Sequence, residues 1–347
     1  MAVADRIAAD YEELSGGCGL IDRSERGKLA LTGSEAGAFL NGLVSNEIEA
    51  LADGQGCYAA VLTPKGKMLG DLRVLRAGDE LLLDTERTAL QEVFNVLWRG
   101  RIGHDVEVHK RTLEHGLLSL EGPRSRALAE ADDLAATEYS HTAAELDGIP
   151  VRLIAADVGV DVLCEAGRTD DLRAALQARG AVPVSDEAAE ARRVERGRPR
   201  YGIDLDDTVI PQEAGLNERA VSFTKGCYVG QETVARLHYR GKPNRHLRGL
   251  RLSGPASSGD ALRLGDREVG RLGTVAVSPR LGPIALALVR REAEPGATVA
   301  AGDGGAAATA TTTKAGEAAQ TKTPAAKKPA DEKPAAAPKA PAAKSGS

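Results

Sequence analysis

The chain has 347 residues, of which 42% are hydrophobic and 27% charged. It is longer than a single hydrophobic core usually supports, so we expect two or three domains. The formal net charge of −5 gives no overall basic field, which argues against direct nucleic-acid binding by the folded part. The chain has no apolar run near the ~20 residues of a membrane span and no secretory signal at its start, so we expect no membrane association.

The four cysteines, at positions 18, 57, 164 and 227, are far apart and form no Cys-x-x-Cys pair. This spacing suits neither a disulfide framework nor a zinc knuckle. The six histidines are dispersed as well. We therefore expect a cytoplasmic protein with free thiols and without a dedicated metal site.

Strands and helices are intermingled over the first two thirds of the chain. Apolar alternation and turn residues predict strands at 28–32, 56–62, 68–75, 80–84, 151–154 and 160–164. Helices are predicted after Ser34, over 88–98, and from Thr169 to the residue before Gly180. This mixed order predicts an α+β fold and not a regular doubly wound sheet.

The pattern changes to strands alone after residue 244. Short strands are predicted at 247–252, 261–264, 269–277 and 284–289, separated by Gly, Pro and Asp. Closely spaced strands with such turns indicate a small β-barrel. We therefore divide the chain into an α+β region at 1–243 and a barrel at 244–300.

Residues 301–347 have a different composition from the rest of the chain. They contain no Leu, Ile, Val or aromatic residue and are rich in Ala, Thr, Lys and Pro. Such a segment cannot bury enough apolar surface to offset the entropy of ordering. We predict a disordered tail that solubilises the protein or links it to a partner.

An octapeptide at 225–232 is the most informative motif. Its sequence is Lys-Gly-Cys-Tyr-Val-Gly-Gln-Glu, and the candidate motif residues are Lys225, Gly226, Cys227, Tyr228, Gly230, Gln231 and Glu232. Lys225 could lower the pKa of Cys227 and give a reactive or ligating thiolate. The alternative is an inert buried cysteine in a glycine-rich turn, since free cysteines are commonly buried. Spacing alone leaves both interpretations open.

Other familiar motifs are missing from the sequence. The chain has no complete dinucleotide-binding glycine pattern, no phosphate-binding loop and no hydrolase nucleophile elbow. These observations argue against three common classes of enzyme.

Three segments, taken in order, resemble a known family. They are Thr63-Pro-Lys-Gly-Lys-Met-Leu-Gly-Asp71, residues 193–204 with Ile210-Pro-Gln-Glu-Ala-Gly-Leu216, and the octapeptide. They resemble the folate-binding proteins that include YgfZ and the T-protein (aminomethyltransferase) of the glycine cleavage system. The resemblance extends from Tyr11 through Val299, and the octapeptide is typical of the YgfZ branch. It implies a three-domain ring of two interlocked α+β modules and a C-terminal β-barrel around a folate pocket.

The resemblance also implies cofactor-binding residues for tetrahydrofolate or a one-carbon-substituted folate. Glu195 matches the pterin-binding glutamate, and one carboxylate can accept hydrogen bonds from two adjacent pterin donors. Tyr201 could stack on the pterin ring, although a core tyrosine is an equal alternative. Without the resemblance, Glu195 would be read as a surface residue in an arginine-rich helix.

Asp71 falls where aminomethyltransferases carry two adjacent acids that act at the transfer step. Here the pair is Gly70 and Asp71, so one acid is missing. Asp71 is therefore a candidate for folate contact and for placing a proton during one-carbon transfer.

The resemblance supports three functional hypotheses. The first is an accessory protein for assembly or repair of iron–sulfur clusters in client enzymes, including tRNA-modifying enzymes, with Cys227 as the active thiol. Its implied partners are folate, client enzymes and cluster assembly proteins. The second is a tetrahydrofolate-dependent aminomethyltransferase of the glycine cleavage system. The third is a folate-binding interaction module tethered by its lysine-rich tail.

Overall fold

The structure is a computed structural model that describes residues 3–302 and 305–311. Within these ranges the chain forms a six-stranded sheet, a five-stranded sheet and a closed six-stranded barrel. Helices pack on the two sheets, and each of the three units has its own apolar core. The predicted α+β fold with a C-terminal β-barrel is confirmed.

The two sheets account for the first eleven strands. They are β1 Gly19–Asp22, β2 Gly27–Thr32, β3 Gly56–Leu62, β4 Met68–Ala77, β5 Glu80–Thr85, β6 Glu107–Lys110, β7 His115–Glu121, β8 His141–Leu146, β9 Ile149–Ala156, β10 Gly159–Glu165 and β11 Val182–Pro183. The six-stranded sheet has the order β11-β1-β7-β10-β9-β8, and the five-stranded sheet has the order β3-β4-β5-β2-β6.

The helices of the described residues are mostly short. They are α1 Val3–Gly16, α2 Ala36–Leu43, α3 Leu90–Gly100, α4 Ser125–Leu128, α5 Thr169–Ala178, α6 Asp186–Glu195, α7 Asn217–Ala220 and α8 Gln231–Arg240, with a 3₁₀ turn at Ala166–Arg168. The helix predicted after Ser34 is α2, which begins at Ala36 with Glu35 as its N-cap residue, so Ser34 does not cap it. The Ser34 hydroxyl instead donates to Asp105, 2.6 Å away.

The two sheets are interlocked through the order of their strands. β1 pairs with β7 in the six-stranded sheet, but the chain builds the whole five-stranded sheet between these two strands. The modules therefore cannot be separated at one point of the chain. This arrangement brings the strands β4, β7 and β10 to opposite walls of one cavity.

The barrel is closed by two strands near the end of the described residues. Its strands are β12 Arg245–Leu252, β13 Ala261–Leu264, β14 Arg267–Ser278, β15 Gly282–Arg290, β16 Thr298–Ala301 and β17 Ala306–Thr311. Because β17 pairs with both β16 and β12, the predicted start of the tail at residue 301 is wrong. The strand β17 consists of Ala and Thr, so the composition of this segment does not indicate a buried strand. Ala308 and Ala310 are nevertheless buried. The rest of the predicted tail, 312–347, lies outside the described residues.

Membrane insertion by a helix finds no support in the described residues. None of their helices combines the length and the apolar character that crossing a bilayer requires.

Candidate functional site

A charged cavity of about 230 Å³ lies between the two sheets. Eight arginines line it, namely Arg23, Arg26, Arg73, Arg193, Arg196, Arg198, Arg200 and Arg219. Seven acids line it as well, namely Glu25, Asp71, Glu86, Glu121, Glu138, Asp157 and Asp161. Tyr58, Tyr139 and Tyr201 add aromatic surface. The cavity thus combines rings with fixed charges of both signs.

The strand β4 directs Asp71 into this cavity. Successive side chains of a strand point to opposite faces, so Gly70 faces the helix α3. A Cβ atom at position 70 would lie 2.9 Å from Cγ2 of Val93 and 3.0 Å from Cβ of Ala89. These separations are shorter than ordinary van der Waals contact, so position 70 has little room for an acidic side chain. Only Asp71 of the pair reaches the cavity.

Asp71 is buried and has one strong hydrogen-bond donor. The Tyr58 hydroxyl donates to its Oδ2 atom at 2.6 Å, and its backbone carbonyl accepts from Thr85 at 2.5 Å. Burial raises the pKa of Asp71 to about 6, although the Tyr58 hydrogen bond opposes this shift. A carboxyl with such a pKa can accept or release a proton near neutral pH.

An ionic network joins the two walls of the cavity. The Arg73 guanidinium of β4 donates to Asp84 of β5 and to Asp161 of β10. Asp84 also accepts from Arg26 at 2.5 Å. Although burial favours the neutral acid, Arg26 and Arg73 lower the pKa of Asp84. This network therefore fixes the five-stranded sheet against the six-stranded sheet.

Several arginines of the wall retain buried N–H groups without acceptors. Among the described residues, Nε of Arg73 and Nε of Arg219 have no hydrogen-bond partner. Nε of Arg196 and Nη1 of Arg198 also lack a hydrogen bond, but they form ion pairs with Asp157 at 3.4 Å and with Glu138 at 3.6 Å. Buried donors of this kind are costly unless a ligand or water accepts from them. The Nε groups of Arg73 and Arg219 are therefore the donors of the wall that an anionic group of a ligand could meet.

Tyr201 lies on the cavity wall as the sequence suggested. It is half-buried, and its hydroxyl is 3.5 Å from the carbonyl oxygen of Met68. Burial raises the pKa of Tyr201 to about 12, so the phenol stays neutral at physiological pH. The ring also contacts the apolar residues of both the five-stranded sheet and the 205–234 segment. Tyr201 is therefore partly a core residue, and its stacking on a pterin stays a prediction.

Glu195 is placed outside the cavity lining. It is the last residue of α6, and its carboxylate accepts from Tyr11 at 2.8 and 3.0 Å, from Ser278, and from Arg280 at 3.1 Å. Its side chain is 4% exposed. These contacts join α1, α6 and the barrel, so the carboxylate is already occupied by protein donors.

Cys227 lies on the protein surface. It is exposed, whereas Cys18 and Cys164 are buried and Cys57 is half-buried. The alternative of an inert buried cysteine is therefore wrong for this position. Cys227 does not line the cavity between the sheets, so the structure separates the thiol from Asp71 and Tyr201.

Lys225 has a structural role that the sequence did not reveal. Its ammonium donates to the carbonyl oxygens of Asn41, Val44 and Asn46 at 2.5, 2.9 and 2.8 Å. These carbonyls lie at and beyond the C-terminal end of α2, where a cation is favoured. Burial nevertheless lowers the pKa of Lys225 to about 8. The hypothesis that Lys225 activates Cys227 gains no support from these contacts.

The remaining octapeptide residues pack the loop onto the 63–66 turn. Gly230 has a φ of 85°, and a Cβ atom there would lie 2.6 Å from the carbonyl oxygen of Thr63. Tyr228 is buried, and its carbonyl accepts from the backbone N–H of Gln231 at 3.2 Å. Gly226 and Glu232 are exposed. Two of the motifs read from the sequence are therefore in direct contact.

Tyr58, which donates to Asp71, and its neighbours Tyr139 and Arg219 are not among the residues predicted from the sequence. Tyr58 stacks near Tyr139 with a centroid distance of 6.5 Å, and Arg219 lies 4.9 Å above the Tyr58 ring. One signal was available for Tyr58. The strands predicted at 56–62 and 68–75 pair as a hairpin with Ala60 opposite Asp71, which places Tyr58 two residues away on the same face. No local pattern points to Tyr139 or Arg219.

The two sheets, the cavity between them and the closing barrel define a protein with the aminomethyltransferase fold. The chain is similar to the glycine cleavage system aminomethyltransferase T from Bartonella henselae, with a TM-score of 0.78 over 89% of both chains. The sequence identity of 22% makes this a likeness of fold.

Sequence comparisons extend the likeness to a family. The family model described as the GCVT N-terminal domain matches residues 1–225. An aminomethyltransferase of Rubrobacter xylanophilus is 30% identical over 301 residues, which cover 84% of this chain and 81% of that protein. The chain therefore belongs to the GCVT family of aminomethyltransferase-like proteins.

A chloroplastic protein of Arabidopsis thaliana, described as a putative transferase, is also similar. It is 29% identical over 262 residues, which cover 73% of this chain. The matched region spans only 60% of the length of that relative.

Proposed function

We propose that this protein is a folate-binding accessory protein of the YgfZ branch, which supports iron–sulfur clusters in client enzymes such as those that modify tRNA. The observation that carries the proposal is the exposed Cys227 thiol on a surface separate from the cavity. A thiol inside the cavity would suit chemistry on the cavity ligand. A thiol on the surface suits contact with another protein.

The cavity residues fit a folate. Tyr201 offers a ring for stacking, and the Asp71 carboxylate can accept from the paired donors of a pterin. The arginine N–H groups without acceptors suit the carboxylates of the glutamate part. The volume of about 230 Å³ is below the roughly 300–1,000 Å³ of sites for drug-sized ligands, so we assign it to the ring portion. A bound reduced folate supplies a carrier for one-carbon groups.

We assign the pterin-binding carboxylate to Asp71 in preference to Glu195. The Glu195 oxygens already accept from Tyr11, Ser278 and Arg280, so a pterin would have to displace protein donors there. Asp71 has one side-chain donor, Tyr58, and faces the cavity. Asp71 is thus free to accept from a ligand.

Cys227 would act by transient contact with a client. A cluster is usually held by four thiolates, and one surface cysteine cannot supply them. An exposed thiolate can nevertheless serve as a temporary ligand while a cluster is delivered or repaired. We propose the cytoplasm as the site of action, because all four cysteines are free and free thiols are typical of reducing compartments.

The second candidate function is aminomethyl transfer. It is supported by the 30% identity to an aminomethyltransferase and by an acid with a pKa of about 6 in the cavity. We rank it lower because Gly70 replaces the second acid and has no room for a side chain. Tetrahydrofolate-dependent release of ammonia from an aminomethyl-lipoyl carrier protein by the purified chain would reverse this ranking.

The folate site is tested by titration with tetrahydrofolate. We expect Asp71→Asn to weaken binding by about 10- to 100-fold, because a charge-assisted hydrogen bond contributes about 1.5–3 kcal/mol. Glu195→Gln should change the affinity less than about twofold, since Glu195 lies off the cavity lining. If only Glu195→Gln lost affinity for tetrahydrofolate, Glu195 and not Asp71 would be the pterin-binding carboxylate.

The thiol role is tested in cells that lack the protein. We expect Cys227→Ser to fail to restore the activity of iron–sulfur enzymes, because the surface ligand is gone. Cys57→Ser removes a half-buried thiol and is the matched control, which should restore activity fully. Equal rescue by Cys227→Ser and the unmodified chain would refute the proposed use of the thiol.

A further inference from the structure

The helix α8 presents an unusual surface beside Cys227. The helix begins one residue after Gly230, and Val234 is its only buried residue among ten. A helix that buries so little is weakly supported by the rest of the fold, since most helical stability comes from packing. The exposed face of α8 is thus available to a partner.

This face carries four cations and one acid. Arg236, Arg240 and Lys242 are exposed, and so is Lys65 on the 63–66 turn. Within the described part of the chain, none of the four makes an ion pair. Glu232 is the only acid between residues 223 and 242. This local excess of positive charge contrasts with the net charge of −5 of the whole chain.

The placement of these charges costs helix stability. Arg236 and Arg240 are four residues apart, and like charges at this spacing repel each other on one helix face. Arg240 is favourable at the C-terminal end, but Arg236 lies in the second turn. Glu232 lies four residues before Arg236 on the same helix and offsets part of this repulsion, so the uncompensated positive charge lies toward the C-terminal end of α8, with Arg240 and Lys242.

The turn at 63–66 extends the basic face toward Cys227. A Cβ atom on Gly66 would lie 2.9 Å from Cβ of Thr233 in the first turn of α8. Lys65 therefore lies next to the start of the helix. Cys227 precedes the same helix by four residues. Lys65 and Cys227 are thus both placed near the N-terminal end of the helix whose later turns carry Arg236 and Arg240.

Aromatic rings provide a fixed apolar anchor on this surface. Phe223 and His238 stack with a centroid distance of 3.8 Å and an interplanar angle of 18°. Tyr239 meets His238 edge to face at 4.8 Å and is 68% exposed. Tyr and Arg are the residues that most often dominate the energy of protein interfaces. The stack holds Tyr239 in place before any partner arrives.

We propose that this α8 surface, formed by Lys65, Arg236, Tyr239, Arg240 and Lys242, docks an acidic segment of a protein partner against Cys227. Charge complementarity selects the partner, and Tyr239 anchors it. A single exposed ring favours a protein over a nucleic acid, because single-strand binding sites stack successive bases on several rings. The inference rests on the proposed function and extends it by specifying the surface of the client that Cys227 meets.

The test measures how fast Cys227 reacts with charged peptide probes. Each probe has one cysteine flanked by Glu, Gln or Lys and activated as a mixed disulfide with thionitrobenzoate. The Cys227 thiolate attacks the peptide sulfur, a Cys227–peptide disulfide forms, and the coloured thionitrobenzoate thiolate leaves. The chain carries Cys57→Ser, so that Cys227 is the only thiol of the described residues that is not buried.

We expect the acidic peptide to react about 10-fold faster than the lysine peptide at low salt, because a basic surface concentrates it. High salt should reduce this advantage. The double variant Arg236→Glu/Arg240→Glu should abolish or reverse it, and Tyr239→Ala should slow the acidic peptide alone. Arg263→Glu is the matched control on the barrel strand β13 and should leave the advantage intact.

Three results would overturn the proposal. The three peptides could react at equal rates, the double variant could keep the acidic preference, or a labelled single-stranded RNA could bind in a way that the double variant abolishes. Far-ultraviolet circular dichroism checks that each variant is folded. The assay contains neither folate nor an iron–sulfur protein, so its outcome is independent of whether the proposed function holds.

Discussion

The cavity wall and the barrel interior both bury an arginine, but they treat it differently. In the cavity wall, Arg73 donates to Asp84 and Asp161 on neighbouring strands. In the barrel, Arg248 of β12 is 4% exposed, and within the described ranges it has no hydrogen bond or ion pair. Arg73 thus links the two α+β modules through ion pairs, whereas Arg248 is a buried arginine without an ion-pair partner.

The barrel position explains why Arg248 lacks a partner. Arg248 pairs in register with Ala287, a residue of the barrel core, so it shares the inward face of the sheet. Burial lowers the pKa of Arg248, and the charge of Glu294 partly opposes this shift. Glu294 itself is exposed. The interior of this small barrel therefore supplies apolar contacts but no acceptor among the described residues.

The difference shows that a buried charge is stabilised by its acceptors and not by its location. Removing one partner of a buried ion pair leaves an uncompensated charge and destabilises the protein. Removing a buried charge that has no partner removes a desolvation cost and stabilises the protein. Removing a carboxylate that pairs with Arg73 should consequently destabilise the protein, whereas removing the unpaired charge of Arg248 should stabilise it. Three substitutions test this contrast.

The largest effect is expected for Asp84→Ala in the cavity wall. The substitution leaves Arg26 and Arg73 without their shared carboxylate, and breaking a buried pair costs about 3–5 kcal/mol of unfolding free energy. Urea unfolding followed by circular dichroism measures the loss. Asp170→Asn removes the partner of Arg173 on an exposed helix and should cost less than about 1 kcal/mol. Equal losses for the two variants would show that burial of the network is unimportant.

An intermediate effect is expected for Asp71→Asn, and it depends on pH. Because the pKa of Asp71 is raised to about 6 by burial, the folded chain binds more protons than the unfolded chain between about pH 4 and pH 6. The contribution of Asp71 to stability therefore falls as the pH rises through this window. Asparagine cannot ionise, so Asp71→Asn should be more stable than the unmodified chain by up to about 3 kcal/mol at pH 7.

Urea unfolding of both chains from pH 4 to pH 8 measures this difference, which should vanish near pH 4. Tyr58→Phe sharpens the test, because it removes the hydrogen bond that favours the ionised carboxylate. That variant should move the window to higher pH. A stability difference between the unmodified chain and the Asp71→Asn variant that does not change with pH would contradict the raised pKa.

Local sequence signals predicted the part of the site that rests on strands and turns. The predicted strand at 56–62 has the same bounds as β3, and the turn at 63–66 leads into the strand that carries Asp71. The octapeptide contains the exposed cysteine Cys227, whose role stays a prediction. These features depend on residues that are close together in the chain, so the local sequence is enough to predict them.

Contacts between distant segments could not be predicted in the same way. Glu195 and Tyr11 are 184 residues apart, and Lys225 reaches Asn41 across a similar distance. The local sequence around Glu195 cannot distinguish a carboxylate that faces a ligand from one that accepts a hydrogen bond from a tyrosine of another helix. The strand β17 was missed for a different reason, because its alanines and threonines contribute little to an apolar pattern.

The smallest effect is expected for Arg248→Met in the barrel, and its sign is opposite to that of Asp84→Ala. Methionine fills a similar volume without a charge, so the variant should be more stable by about 1 kcal/mol in urea unfolding. Arg263→Met on the exposed side of β13 is the control and should stay within about 0.5 kcal/mol of the unmodified chain. Glu294→Gln distinguishes two states of the barrel. If Arg248 is unpaired in solution, this variant should leave the free energy of unfolding unchanged. A loss of about 3–5 kcal/mol, as for a broken buried pair, would show that Glu294 turns inward to bind Arg248.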